Sequence, residues 1–258
     1  LLFYIDPGTR AYVRRIEFRG NTKTMDEVLR REMRQLEGAT ASTEKIERSK
    51  NRLKRIGYFK SVESETRPVP GVSDQIDVFY TVEEQPSGSV GASLGFAQTY
   101  GVTLGANIAE NNFLGTGNRL KLGLSQSGFQ TNLSLNYSDP YFTTDGVTAG
   151  FVVFAKKQDF EEGNLSNYTT ESMGASTTFG YPITENQSIG FGLGYENLEL
   201  DSGGYFKTKL MEEFLDEEGN DYHMFTSNVS WGVSSLNGSG NDATRGQAHK
   251  ISAEVTLP

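Results

Sequence analysis

The stretch LKLGLSQSGFQTNLSLNY, residues 120–137, decides the fold of this 258-residue chain. Leucine or tyrosine takes every second position on both sides of the polar turn at 126–130, and lysine, glycine, serine and asparagine fill the positions between them. A period of two predicts two β-strands, each with one apolar and one polar face. Because the turn is short, we expect the two strands to pair as an antiparallel hairpin.

The same alternation continues from Pro86 onwards and predicts nine strands, near residues 88–99, 102–108, 120–124, 132–137, 146–157, 168–181, 187–200, 223–235 and 248–257. A soluble β-sandwich also alternates, but its strands are usually about 5–6 residues long. A tilted membrane strand needs about 9–11 residues, and the glycine, serine, threonine and asparagine of the minority face suit a polar barrel interior. Strand length and face composition therefore favour a transmembrane β-barrel.

The chain changes character at residues 84–88. Up to Glu84 it holds 16 lysines and arginines against 14 acidic residues, whereas the remainder holds 8 against 19. Only five of the 29 glycines precede this point. We therefore predict a boundary there, with one domain at 1–86 and a second at 87–258.

The first domain has a different periodicity. Residues 12–18 alternate as a half-buried strand, and Thr24 with Glu27 forms a capping-box pattern before a helix that we expect to close at Gly38. The inward stripe of this helix is expected to hold Met25, Val28, Leu29, Met33 and Leu36. A second helix and two strands are predicted at 42–56, 60–67 and 75–83. The order of elements is then β-α-α-β-β.

The sequence offers little for catalysis. It has no cysteine, which excludes disulfides, thiolate metal sites and cysteine nucleophiles. Residues 91–95 (GASLG) match the nucleophile pattern G-x-S-x-G, but they fall inside a predicted strand rather than at a strand-turn-helix junction. The two histidines, His223 and His249, lack metal-ligand spacing. We expect no catalytic residue, no metal, no cofactor and no enzymatic activity.

Nucleic acid is also not expected as a partner. The basic residues of the first domain are interleaved with acids, and the domain is only weakly positive.

Five stretches carry a family resemblance: 28–38 (VLRREMRQLEG), 53–59 (LKRIGYF), 111–118 (NNFLGTGN), 139–147 (DPYFTTDGV) and 180–183 (GYPI). Together they resemble the BamA family, central subunits of the outer-membrane barrel-assembly machinery. The resemblance implies an α+β POTRA domain, the last of its array, followed by an incomplete antiparallel transmembrane β-barrel. About nine of roughly 16 expected strands are present. We therefore expect a piece of a longer protein, which alone does not close the barrel.

The resemblance also implies a function. Members of the family insert and fold other β-barrels in the bacterial outer membrane without ATP, and their POTRA domains lie in the periplasm. The implied partners are accessory assembly lipoproteins, unfolded outer-membrane barrel substrates and outer-membrane lipid. The alternative is a related translocation pore for a secreted or autotransporter-like partner, which shares the layout.

Two candidate sites follow from the family. The first is the lateral-gate strand, which consists of Gly88, Ser89, Val90, Gly91, Ala92, Ser93, Leu94, Gly95 and Phe96. Its glycines weaken the strand and leave its edge easy to open, although the same glycines would also suit a crowded interior wall. The second is a docking point for the accessory lipoprotein at Arg30 and Glu37, which would otherwise be ordinary exposed helix charges.

Overall fold

Residues 10–97, 101–160, 168–184, 186–201, 209–236 and 245–258 are described by a computed structural model of the chain. The chain divides into two units. The first comprises Leu1–Gly88 with Asn111–Gly117, and the second comprises Ser89–Glu110 with Asn118–Pro258. The boundary predicted from the sequence, between residues 86 and 87, stays a prediction.

The first unit is built on a three-stranded sheet of β1 (Tyr12–Arg19), β2 (Phe59–Pro68) and β3 (Gln75–Glu84). β3 lies in the middle, parallel to β1 and antiparallel to β2. A shift of register between Val13 and Arg15 interrupts the simple alternation predicted for β1. Helices α1 (Asp26–Arg30) and α2 (Thr43–Arg55) follow β1, so the order β-α-α-β-β is confirmed.

Helix α2 forms where its local signals place it. The hydroxyl of Ser42 accepts a hydrogen bond from Lys45 N at 3.4 Å, which caps the first turn. Gly57 follows the last turn with φ +80°, a left-handed conformation that suits glycine at a helix end. The apolar core of this unit contains Val13, Ile16, Val28, Leu29, Met33, Ile46, Leu53, Tyr58, Phe59, Val62, Val78, Tyr80 and Val82.

The capping box predicted at Thr24 is wrong. The residue before α1 is Met25, and no side chain caps that end of the helix. Thr24 instead donates its main-chain N–H to Glu84 Oε1 at 2.7 Å. A tertiary contact across the unit therefore replaces the local one that the sequence pattern suggested.

The first helix is also shorter than predicted, because tertiary hydrogen bonds draw the chain away after Arg30. The N–H of Arg34 donates to the Ser49 hydroxyl at 2.8 Å. The buried side chain of Gln35 donates to the main-chain oxygen of Leu36 and accepts from Ser42 N. The predicted inward stripe consequently survives only in part. Three of its members are buried and two are exposed: Val28, Leu29 and Met33 against Met25 and Leu36.

The second unit is a nine-stranded antiparallel sheet in which every strand pairs with its neighbours in sequence. The strands are β4 (Gly88–Ala97), β5 (Gly101–Phe113), β6 (Asn118–Gln126), β7 (Gln130–Asp139), β8 (Thr148–Asp159), β9 (Thr169–Thr184), β10 (Gln187–Asp201), β11 (Asp221–Ser234) and β12 (Ala248–Leu257). Helix α3 (Lys209–Glu218) lies between β10 and β11. Nine strands are confirmed, and β4 and β12 are the two ends of the sheet within the described residues. The last two residues predicted for the first strand, 98–99, lie outside the described part.

Side chains of like polarity line up across the sheet. Direct pairing joins Phe225, Tyr195, Ala175, Val153, Leu135 and Leu122 into one apolar row. A neighbouring row on the opposite face contains Asn228, Gly192, Thr178, Gly150 and Ser138. The alternation in the sequence therefore gives the sheet one apolar face and one polar face, each of which runs across neighbouring strands. Among the described residues, no helix combines the length and apolar character needed to cross a membrane.

Candidate functional site: a free strand edge and a charged pair

The predicted gate strand is β4, at one end of the sheet. β4 pairs with β5 on one side, and no described strand pairs with its other side. Its apolar side chains are the most open of the sheet: Val90 is 82% and Phe96 79% exposed, against 39% for Leu135 in the middle. The free main-chain groups of such an edge are a template for another strand.

The other end of the sheet has the same character. β12 pairs only with β11 within the described residues, and Ile251, Val255 and Leu257 are exposed along it. The apolar and polar faces therefore both continue to a strand whose outer side is unpaired.

The glycines of β4 are not equivalent. A Cβ atom on Gly91 would overlap the side-chain amide of Asn107 on β5. Around Gly95 the nearest atom is Thr103 Cβ, at 3.9 Å. A methyl group at position 91 would therefore displace the side chain of Asn107, whereas a methyl group at position 95 has room.

The second candidate site brings Arg30 and Glu37 together. Arg30 Nη1 lies 3.4 Å from Glu37 Oε1, and both side chains are about half exposed. Both also bind the main chain of Ile16: its N–H donates to Glu37 Oε1 at 2.7 Å, and its carbonyl accepts from Arg30 Nη2 at 3.2 Å. The pair therefore satisfies the main-chain groups of edge strand β1, in addition to any role towards a partner.

Two further contacts fix the guanidinium of Arg30. Its Nε donates to Asp26 Oδ2 at 2.8 Å, one helical turn earlier. Its Cζ lies 5.3 Å from the ring centroid of Phe18. These contacts fix the position of the Arg30 guanidinium within the unit. A partner that docks there would therefore meet a side chain that is already oriented.

Glu84, at the end of β3, anchors the loop at residues 22–24 and is not among the residues that the sequence predicted. Its carboxylate accepts hydrogen bonds from the N–H groups of Thr22, Lys23 and Thr24, at 3.1, 3.0 and 2.7 Å, and from the Thr22 hydroxyl at 2.7 Å. Partial burial acts to raise the pKa of Glu84, but the hydrogen bonds from these three residues outweigh it and lower the pKa to about 2. No local pattern links Glu84 to a loop about 60 residues earlier in the chain.

The residues considered for catalysis lie apart. Ser93 is in the middle of β4, directly on an extended strand rather than at a turn into a helix. His223 on β11 bonds the Tyr195 hydroxyl through Nδ1 at 2.8 Å, and His249 lies on β12. Within the described ranges, no three histidine or acidic side chains are grouped as a metal ion would need.

Comparison with known proteins identifies the family. A family profile described as "Omp85 superfamily domain" matches residues 112–258, more than half of the chain. The chain belongs to the Omp85 superfamily. A second profile, POTRA, described as "Surface antigen variable number repeat", matches residues 11–85. The predicted fold class, a POTRA domain followed by antiparallel barrel strands, is confirmed.

Individual Omp85 relatives agree. The chain is 35% identical over 268 residues to the outer membrane protein assembly factor BamA of Neisseria meningitidis serogroup B, with 100% of this chain and 33% of that protein covered. It is 34% identical to a solved structure of BamA from Haemophilus ducreyi lacking POTRA domains 1–3, with a TM-score of 0.75 and coverage of 98% of this chain and 49% of that one. The resemblance to the BamA family is confirmed.

The likeness extends more weakly to CdiB from Acinetobacter baumannii. That structure has a TM-score of 0.62 at 14% identity and covers 96% of this chain and 47% of its own, which shows the fold alone. The chain spans about a third of the length of the curated relatives it matches.

Proposed function

We propose that this chain takes part in folding and inserting β-barrel proteins into the bacterial outer membrane. The observation that carries the proposal is the likeness to curated relatives named outer membrane protein assembly factors, and it is supported by β4, the end strand of the sheet, whose outer side pairs with no described strand. An unpaired edge offers an incoming strand a row of N–H and C=O groups, so that the new strand gains main-chain hydrogen bonds as it leaves water.

The two faces of the sheet complete the mechanism. An outer-membrane strand alternates apolar and polar side chains, and β4 presents the same alternation at its edge. A strand that pairs with β4 in register continues the apolar face towards outer-membrane lipid and the polar face towards the interior. The edge thereby selects strands whose pattern matches, and slippage by one residue would turn every side chain to the wrong face.

No chemical step is needed for this activity. Main-chain hydrogen bonding and apolar burial in lipid drive the insertion, so we propose that the protein acts without an enzymatic mechanism and without nucleotide. The relatives are named as assembly factors rather than as enzymes. The test is the folding rate of a substrate barrel in lipid vesicles that contain the protein. Acceleration without nucleotide supports the proposal, and no acceleration or dependence on ATP contradicts it.

We further propose that Arg30 and Glu37 dock an accessory assembly lipoprotein on the periplasmic POTRA unit. The preformed Arg30 guanidinium and the adjacent carboxylate of Glu37 offer a partner one donor and one acceptor of opposite charge. The matched variants are Glu37→Gln, which keeps an oxygen for Ile16 N but loses the charge, and Glu27→Gln on the exposed face of α1. Weaker lipoprotein binding by the first variant alone supports docking. Equal binding by both contradicts it.

The alternative is a translocation pore for a secreted partner. Ion conductance that a secreted partner blocks, together with no acceleration of barrel folding, would replace the assembly proposal with this one.

A further inference from the structure

The connection between β5 and β6 belongs to the first unit. Residues Asn111–Gly117 group with the POTRA residues, although the strands that enter and leave this connection lie mainly in the second unit. β5 is also the strand that pairs with the free edge strand β4. Contacts that fix the end of β5 therefore act on the strand that pairs with the proposed gate strand.

Asn112 is the centre of the connection. Its side chain is only 8% exposed, and both ends of its amide are used. Nδ2 donates to the Thr24 hydroxyl at 2.8 Å, and Oδ1 accepts from Gly117 N at 2.7 Å. A buried amide whose donor and acceptor are both satisfied fixes one orientation, because breaking either bond leaves a polar group unpaired.

Two further hydrogen bonds join the connection to the POTRA residues. The buried hydroxyl of Tyr58 donates to the main-chain oxygen of Gly117 at 3.1 Å. The N–H of Met25 donates to the main-chain oxygen of Gly115 at 2.9 Å. This second bond pairs the main-chain N–H of Met25, the residue that directly precedes α1.

Two glycines of the connection lie close to POTRA residues, Gly115 to main chain and Gly117 to a side chain. A Cβ atom on Gly115 would overlap the main-chain oxygen of Lys23, and one on Gly117 would overlap the guanidinium of Arg31. Both glycines also have positive φ, +78° and +75°. The GTG sequence at residues 115–117 is thus explained by contact with the POTRA residues as well as by turn geometry.

The loop that receives the connection is itself anchored. Thr22, Lys23 and Thr24 donate to the carboxylate of Glu84, which fixes the loop to the end of β3. A continuous chain of hydrogen bonds runs from β3 through this loop to Asn112. The contacts at Asn112, Gly115 and Gly117 are called the clasp below.

We propose that Asn112 and Tyr58 are positioning residues for barrel assembly: they clasp the β5–β6 connection to the POTRA unit and so hold the end of the strand that pairs with β4. This role rests on the proposed assembly function. The hydrogen bonds of the clasp are independent of that function, and hydrogen exchange tests them separately from the folding of a substrate barrel.

The chain offers a matched pair of variants. Tyr58 and Tyr80 are both buried, and each donates its hydroxyl to a main-chain oxygen, Gly117 O for Tyr58 and Ile46 O for Tyr80. Tyr58→Phe removes a bond of the clasp, whereas Tyr80→Phe removes a comparable bond elsewhere in the same unit. Asn112→Ala removes two clasp bonds, and Thr24→Ser keeps the hydroxyl that Asn112 needs.

The experiment combines hydrogen exchange and barrel folding on the intact protein in lipid vesicles. Exchange in residues 111–117 should rise about fivefold in Tyr58→Phe and about 5- to 30-fold in Asn112→Ala, and it should stay at the wild-type level in Tyr80→Phe and Thr24→Ser. Exchange in α2 and β3 verifies that each variant is folded. The rate of substrate folding should fall about 2- to 30-fold in the first two variants only.

The outcomes separate the two claims. Equal folding rates in Tyr58→Phe and Tyr80→Phe overturn the positioning role, and unchanged exchange in residues 111–117 overturns the clasp itself. A wild-type protein that does not accelerate barrel folding overturns the assembly function, while exchange in the same samples still decides whether the clasp exists.

Discussion

The two units place the same kinds of apolar residue in opposite settings. In the POTRA unit, thirteen apolar side chains form one buried core. In the nine-stranded sheet, leucine, valine and phenylalanine face outwards in rows, and Ala149 is the one buried apolar residue among those described. The difference follows from the solvent that each unit meets. The first unit folds in water and buries its apolar side chains, whereas the sheet faces lipid and exposes them.

The largest expected effect comes from truncating the buried core. Leu53 on α2 is fully buried, so Leu53→Ala should lower the free energy of unfolding of the first unit by about 2–5 kcal/mol. Leu135→Ala on the sheet should cost much less, since its side chain already faces outwards. Hydrogen exchange in the first unit and the fluorescence of the single tryptophan, Trp231, report the two units separately. Equal losses of unfolding free energy in Leu53→Ala and Leu135→Ala would show that the two units do not differ in this way.

A charge on the apolar face tests whether that face meets lipid. Leu135→Arg should destabilise the sheet in vesicles by about 2–4 kcal/mol, the cost of arginine on the lipid side of a membrane barrel. Ser134→Arg, one residue away on the polar face, should cost clearly less. Denaturant titration of both variants in vesicles measures the difference. If the two costs were equal, the assignment of faces would be wrong.

The glycines of β4 sharpen the comparison within the sheet. Gly91→Ala should weaken the pairing of β4 with β5 by about 1–3 kcal/mol, because its methyl group would overlap Asn107. Gly95→Ala has room and should be nearly neutral for pairing. Hydrogen exchange along β5 gives the measurement. A loss of assembly activity in Gly95→Ala with intact pairing would show that Gly95 is needed to open the edge.

The smallest expected effect is a pH dependence confined to the POTRA unit. The pKa of Glu84 is lowered to about 2 from an ordinary value of 4.5. A lowered folded-state pKa stabilises the unit above pH ~4.5, and this stabilisation is lost as the pH falls towards 2. Because much of the carboxylate remains in solvent, we expect a contribution of about 1–2 kcal/mol.

The variant Glu84→Gln should lack this part of the acid dependence, which unfolding of the first unit at pH 7 and pH 3 would measure. Glu27→Gln on α1 is the control and should retain it. The same acid sensitivity in Glu84→Gln and the wild type would assign the effect to other groups.

Local signals explain what the sequence could predict. Helix α2 has its cap at Ser42, its apolar stripe and its terminal Gly57 within one continuous stretch, and the nine strands each carry their own alternation. The end of α1 depends on the Ser49 hydroxyl, 15 residues from Arg34, and on the buried side chain of Gln35, which binds Ser42 N seven residues later. A pattern of neighbouring residues carries no information on such bonds, so the capping box and the length of α1 were wrong.

The candidate site divides in the same way. The family resemblance indicated the gate strand, alternation predicted its extent, and β4 lies at one end of the described sheet. The family resemblance pointed to Arg30 and Glu37, but not to their shared contacts with Ile16. The partners of Glu84 and Asn112 lie about 60 and 88 residues away in sequence, so only the folded chain brings them together.

The central claim, that an incoming strand pairs with the free edge of β4, is tested most directly by cross-linking. The chain has no cysteine, so a single Ser93→Cys on β4 can be matched with Ser134→Cys, a serine that also faces a glycine but lies on the central strand β7. A substrate barrel that carries one cysteine in its terminal strand should form a disulfide with Cys at 93 during assembly and none with Cys at 134, since directly opposed strand residues lie about 5 Å apart. Cross-linking at both positions, or at neither, would contradict the account.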